Sequence, residues 1–300
     1  MDVFFQQLVN GLAWGSIYAL IALGYTMVYG ILKLINFAHG EIYMLGAMTG
    51  YYAARALGFD DGPSIIGLFT VLTISMVVCA AVGMLIERVA YRPLRNAPRL
   101  APLITAIGVS LFLQYSGQIV FGPDPKVPPE LLAKSTLFTV GSVPVNNVQV
   151  VVLVVSLALC AGLTWIVHRT RMGRAMRAVS YDRQAAALMG INTDKTIAFT
   201  FAVGSALAAA AGILVGLYNP KVEPLMGLMP GLKAFVAAVL GGIGNIPGAM
   251  LGGVILGVAE TLVSGYLSST YRDAIAFVIL IVILLVRPTG LLGSTAKEKV

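Results

Sequence analysis

Residues 8–30 read LVNGLAWGSIYALIALGYTMVYG, 23 consecutive residues without one charged side chain. A helix rises about 1.5 Å per residue, so roughly 20 apolar residues match the hydrocarbon thickness of a bilayer. The pattern recurs down the chain, in charge-free runs at 42–54, 64–86, 100–121, 147–167, 196–217, 234–259 and 274–286. With 58 % of 300 residues apolar and 11 % charged, the composition excludes one soluble domain of this length. Only helices and closed barrels satisfy every backbone amide in lipid, and runs this long predict an all-α polytopic membrane protein. The leading MDVFFQQ carries no basic stretch and no small-residue cleavage site, so the first helix is expected to be retained.

The region 228–277 is less regular, because the glycine-rich 241–248, GGIGNIPG, divides it into a half-length helix and a full helix from about 248 to 266. About nine transmembrane helices follow, with eight and ten as the bounds, some of them short or broken by glycine. Orientation is read from Lys and Arg counted on alternate sides. With the N-terminus outside, segments 31–41, 87–99, 169–195 and 287–300 hold 14 of the 20 basic residues on the inner side. Arg55, Lys126, Lys134, Lys221, Lys233 and Arg272 are left for the outer side. This predicts an outside N-terminus and a cytoplasmic C-terminus, provided the half-length segment crosses. The whole of 1–300 reads as a single transmembrane domain. Within it, 122–146 forms an outer loop whose five prolines predict irregular or short helical structure, and 169–195 forms a long inner loop.

In lipid, close backbone approach replaces the hydrophobic effect as the force between helices. Small residues spaced by four therefore mark contact faces: Gly204, Ala208, Gly212 and Gly216; Gly46, Gly50 and Ala54; and Gly248 and Gly252 with Gly253 and Gly257.

Catalytic chemistry finds no footing. No glycine is followed by lysine, which excludes the phosphate-binding loop of many ATPases. His39 and His168 lie far apart without a third ligand, and Cys79 and Cys160 sit inside apolar runs, so no metal or redox site is expected. No aspartate lies in a charge-free run, which disfavours intramembrane proteolysis. The net charge of +7 sits in short loops and sets orientation rather than binding nucleic acid. Glu260 is the carboxylate inside a predicted span, with Lys233 and Arg272 as candidate partners; it reads either as half of a structural ion pair or as part of a transport path.

The inner loop RTRMGRAMRAVSYDRQAAALMGINTDK, 169–195, is the most informative polar segment. Asp182 can cap a short helix through Met189, with Gly190 as its left-handed stop. Such a helix either rests on anionic headgroups or docks into a soluble partner, and its alanine-rich face favours the partner. Two glycine-interrupted inner segments, one with Asn36, His39 and Gly40 and one with Gly241, Gly242, Gly244 and Asn245, precede helices that run outward. Broken helices of this kind can line a route, so these residues are the candidate inner gate; close packing is the alternative, and His39 is either a packing residue or a pH-sensitive element.

Gln184-Ala185-Ala186 followed by Gly190 resembles the EAA-x-x-x-G loop through which ABC importer permeases contact their ATPases, with Gln in place of Glu. Longer strings carry more: GSIYALIALGYTMVYGILKLINFAHGEIYMLGA at 15–47, IERVAYRPLR at 86–95, RMGRAMRA at 171–178, GINTDK at 190–195 and KAFVAAVLGGIGNIPGAMLGGVILGVAE at 233–260. In these the chain resembles LivH-type permease subunits of the branched-chain amino-acid ABC transporter family. The resemblance implies a multi-pass protein of the bacterial inner membrane that imports leucine, isoleucine and valine. It implies a LivM-type second permease, two cytoplasmic ATPase subunits that bind ATP and magnesium, and a periplasmic binding protein. No cofactor is expected in this chain. On this view Asp182, Gln184, Ala185, Ala186 and Gly190 couple to the ATPases, 122–146 is periplasmic and 169–195 is the cytoplasmic coupling loop. Alternative readings are an ABC permease for urea or short amides and a stand-alone secondary transporter; the latter would want more intramembrane charge than Glu260 supplies.

Overall fold

A computed structural model describes residues 2–60, 62–95, 97–98, 100–141 and 143–293. Of the inner-side cations, Arg99, Lys297 and Lys299 lie outside the described residues. The charge-free runs all become helix: α1 (Asp2–Leu32), α2 (His39–Ala56), α3 (Ile65–Ile86), α4 (Leu100–Phe121), α5 (Asn147–Arg169), α8 (Thr193–Tyr218), α9 (Leu228–Gly241), α10 (Ile246–Tyr266) and α11 (Arg272–Val286). Two shorter helices, α6 (Arg171–Tyr181) and α7 (Arg183–Leu188), occupy the loop between α5 and α8. Among the described residues, seven helical segments are long and apolar enough to cross a membrane: α1, α3 with the turns that follow it, α4, α5, α8, α10, and α11 together with the 3₁₀ turn Ser269–Tyr271 that precedes it. With 14 residues, α9 is about 21 Å long and falls short of a ~30 Å core by itself.

Burial sorts the helices. The most apolar stretches of α1 and α8 are 78 % and 72 % buried, against 17 % for α4 and 6 % for α11. α1 and α8 are therefore the axis, with α2, α9 and α10 around them and α3, α4, α5 and α11 outermost. The outer helices expose large apolar side chains such as Ile104, Phe112, Ile119 and Leu285, as a surface solvated by lipid requires.

The small-residue stripes build the axis. Gly257 and Gly253 of α10 lie against the backbone of α1 at Gly15 and Ala19. Gly204 faces Gly24 of α1, Gly212 lies against Tyr43 and Ala47 of α2, and Gly46 returns the contact at Ala209. Gly248 and Gly252 do the same between α10 and α9, at Gly241 and Ala237.

In the loop 122–146, residues 122–135 are irregular as expected, but the remainder is not. Residues Thr136–Val140 (β1) and Val143–Asn146 (β2) form an antiparallel hairpin, pairing Thr139 with Pro144 and Phe138 with Val145. Thr136, Phe138, Thr139, Val143 and Val145 are strand formers, and a count of prolines overlooks them. Lys126 also bridges to Val222, bonding N to O in both directions at 2.8 and 2.9 Å, so the hairpin loop and the end of α8 close one face of the bundle. The opposite face carries α6 and α7.

Candidate functional site

On the face opposite the hairpin, Asp182 caps α7: its Oδ1 accepts from the amides of Gln184 and Ala185 at 2.8 and 2.9 Å. Gly190 stops the helix at φ +82°. Ala185 and Ala187 are exposed on the outward face that the sequence predicts, while Ala186 is not. Ala186 is buried against the bundle, because its amide and carbonyl tie α7 to Asp182 and Ile191 and turn its methyl inward. The outermost apolar side chains of the loop are Tyr181, Leu188 and Met189, which are 96, 89 and 84 % exposed. No helical period singles them out, since α7 has under two turns.

Behind α7 lies a buried ionic cluster that charge counting did not resolve. α3 ends in one turn of π-helix, Glu87–Tyr91, followed by a 3₁₀ turn, Arg92–Leu94. The turns place Glu87, fully buried, against Arg95, whose side chain is only 3 % exposed. Arg95 reaches on to Asp194 in the first turn of α8 at 2.5 Å, while Arg92 spans Glu87 at 3.2 Å and Asp194 at 3.6 Å. Two of the quoted strings, 86–95 and 190–195, thus meet through side chains.

The two candidate gate segments are built differently. In the first, α1 ends at Leu32 with Lys33 at φ +55°, and the chain turns back into the bundle before α2 begins. Asn36 accepts from Tyr91 Oη at 2.7 Å and from the amide of Ala38 at 3.1 Å. His39 lies inside the bundle beside Gly24, edge-on to Tyr25 at 4.8 Å, and its Nε2 finds no hydrogen-bond partner among the described residues. Gly40 meets Gly227 and Gly231, at the start of α9.

The second segment forms the turn between α9 and α10. Gly242 and Gly244 have φ of +104° and +94°, and Asn245 caps α10 through the amide of Gly248 at 3.1 Å. Residues 287–293 clasp this turn: Leu291 and Leu292 donate to the carbonyls of Leu240 and Gly241, and Asn245 Nδ2 donates to Leu292 O at 2.7 Å. Gly241 packs on Gly248. A cavity of about 740 Å³ opens beside the turn, with Lys33, His168 and Arg177 on its wall.

Glu260 is fully buried near the hairpin-side end of α10 and is held from three directions. Lys233 Nζ stands 2.8 Å from Oε1, while Tyr18 Oη and Arg272 Nε reach Oε2 at 2.9 and 3.1 Å. Lys233 also reaches Asp273 at 2.6 Å. These contacts tie α1, α9, α10 and α11 together at Glu260. The sequence reading missed a third buried carboxylate beside Glu260 and Glu87: Glu41, which stands one residue ahead of the charge-free run at 42–54.

The family described as branched-chain amino acid transport system / permease component matches residues 7–284. The chain belongs to this family. Among relatives, it is 48 % identical over 305 residues to the high-affinity branched-chain amino acid transport system permease protein LivH of Escherichia coli K12, covering 99 % of this chain and 98 % of the relative. To the permease protein BraD of Pseudomonas aeruginosa, named for the same high-affinity system, it is 47 % identical over 303 residues, with the same coverage. A probable LivH of Methanocaldococcus jannaschii is 30 % identical over 308 residues, 97 % of this chain and 93 % of the relative. No solved structure matches. For this permease family, a multi-pass helical bundle is the form the structure takes.

Proposed function

We propose that this protein is the permease subunit of an ABC importer that moves leucine, isoleucine and valine across the bacterial inner membrane. The observation that carries the reading is 48 % identity to LivH over 99 % of the chain, too high to reflect a shared fold alone. In this reading the chain crosses nine times, N-terminus outside and C-terminus cytoplasmic. Seven helices have the length, α2 supplies another, and α9 completes its passage with the segment after Val222, which starts at the hairpin face. The whole of 1–300 is one permease domain, with 122–146 periplasmic and 169–195 cytoplasmic.

Energy comes from two cytoplasmic ATPase subunits, which bind ATP and magnesium; this chain binds neither and catalyses nothing. They dock on the α7 loop, where Tyr181, Leu188 and Met189 offer exposed apolar side chains and Asp182, Gln184, Ala185 and Gly190 set the shape of the peg. The Glu87–Arg95–Asp194 cluster gives motion of that loop a stiff connection to α3 and α8. A LivM-type chain is the second permease, and a periplasmic binding protein delivers substrate to the hairpin face. The turn from Gly241 to Asn245 and the cavity beside it form the inner exit, and Asn36, His39 and Gly40 line the route within the bundle.

Purification of the tagged chain from its native membrane tests this. A second permease and a pair of ATPases are expected to co-purify. Leucine uptake by the purified chain alone in liposomes, driven by an ion gradient, would mark a secondary transporter instead.

A further inference from the structure

Glu41 belongs to none of the clusters above. It sits in the first turn of α2 and is 1 % exposed. Oε1 lies 3.4 Å from Ser110 Oγ of α4, and Oε2 has no hydrogen-bond partner. Among the described residues no Lys, Arg or His forms an ion pair with it. The free oxygen is aimed at the start of α9: a β-carbon placed on Gly227, the N-cap of α9, would stand 2.8 Å from it.

Two helix N-termini, and no cationic side chain among the described residues, face the carboxylate. Gly40 packs backbone to backbone on Gly227 and Gly231, so the N-termini of an 18-residue and a 14-residue helix converge beside Glu41. Helix N-termini carry partial positive charge and stabilise an anion there. A buried anion with one oxygen unbonded is nevertheless costly, and it lacks a compact cation with donors to spare. An ammonium group has three such donors. Met44, one turn along α2, and Met226, next to Gly227, flank the position with unbranched apolar side chains that can repack around an aliphatic substrate.

We propose that Glu41 Oε2 and Ser110 Oγ, at the Gly40–Gly227 contact, form the seat for the ammonium group of an amino acid passing through the bundle. The seat rests on the reading of this chain as an amino-acid permease and sharpens it, because a neutral amide or urea carries no ammonium to fill it. In this structure the two glycines close the seat, so substrate enters when α2 and α9 part, which is a step an ATPase-driven motion can supply.

The test uses the complete importer in proteoliposomes. Leucine moved per ATP hydrolysed is expected to fall at least tenfold in Glu41→Gln, while hydrolysis stimulated by the loaded binding protein persists, and Glu41→Asp is expected to recover part of the loss. An assembled Glu41→Gln complex with the wild-type ratio overturns the seat. Should Glu41→Gln fail to assemble, Ser110→Cys decides, with Cys79 and Cys160 replaced by Ala. A cationic methanethiosulfonate reagent is expected to label it during turnover, more slowly when leucine is in excess. Labelling in no state, or labelling that leucine does not slow, overturns the seat. A wild-type complex that moves urea and not leucine overturns instead the reading of the chain as an amino-acid permease.

Discussion

Lys233 of α9 and Glu260 of α10 face each other at 2.8 Å, the lysine side chain 5 % exposed and the carboxylate fully buried. Breaking a buried pair from one side strands the other charge, at about 3–5 kcal/mol. Lys233→Met is therefore expected to destabilise the bundle by about 3 kcal/mol, the low end, since Tyr18 and Arg272 still hold Glu260. Removing both charges in Lys233→Met with Glu260→Gln is expected to restore more than half of the loss. Thermal unfolding in detergent measures both, and a double variant as weak as the single one would contradict the ion-pair role.

Some glycines on helix faces touch a neighbouring backbone, and others meet nothing. Gly253→Val on α10 would drive its side chain into Ala19 of α1, and the folded yield is expected to collapse. Gly162→Val on α5 and Gly108→Val on α4 point into open space and are expected to change stability by under about 0.5 kcal/mol. Monodisperse yield by size-exclusion chromatography separates the two classes.

Gly190 ends α7 in the left-handed region, where a β-branched residue is strained by roughly 1–2 kcal/mol. Because α7 has under two turns, Gly190→Val is expected to reshape the peg, abolish leucine uptake by the importer and leave membrane insertion unchanged. Uptake at the wild-type rate would remove α7 from coupling.

Leu188 and Met189 are exposed at the tip of that loop. Full burial of one such side chain is worth about 1.5–3 kcal/mol, so Leu188→Ser with Met189→Ser is expected to weaken ATPase association at least tenfold, with thermal stability held. Titration of purified ATPase onto the reconstituted permease reads the affinity.

Much of the fold was legible because lipid permits so few solutions. Every charge-free run is helical, the run at 234–259 as two helices around the Gly242–Asn245 turn, and the glycine stripes lie at the contacts because four-residue spacing keeps one face of a helix free of side chains. Asp182 and Gly190 were legible because caps act on their own few residues. What lay outside local reading depends on where the chain turns. Glu41 stands one residue ahead of an apolar run and resembles a helix-end charge, yet residues 33–38 double back and start α2 inside the bundle. Nearby small residues, Gly40, Gly227 and Gly231, are the signal that marks the place, but only once α9 is known to begin beside it. Ala186 faces inward for a related reason: a helix this short takes its orientation from α6 and α8. The hairpin at 136–146 was hidden by the prolines around it.

The most direct measurement of the central claim is ATP hydrolysis by the purified importer in proteoliposomes, compared with leucine-loaded, urea-loaded and empty binding protein. The account predicts stimulation by the leucine-loaded receptor, with leucine accumulating inside the vesicles in step with hydrolysis. Stimulation by the urea-loaded and not the leucine-loaded receptor would contradict it.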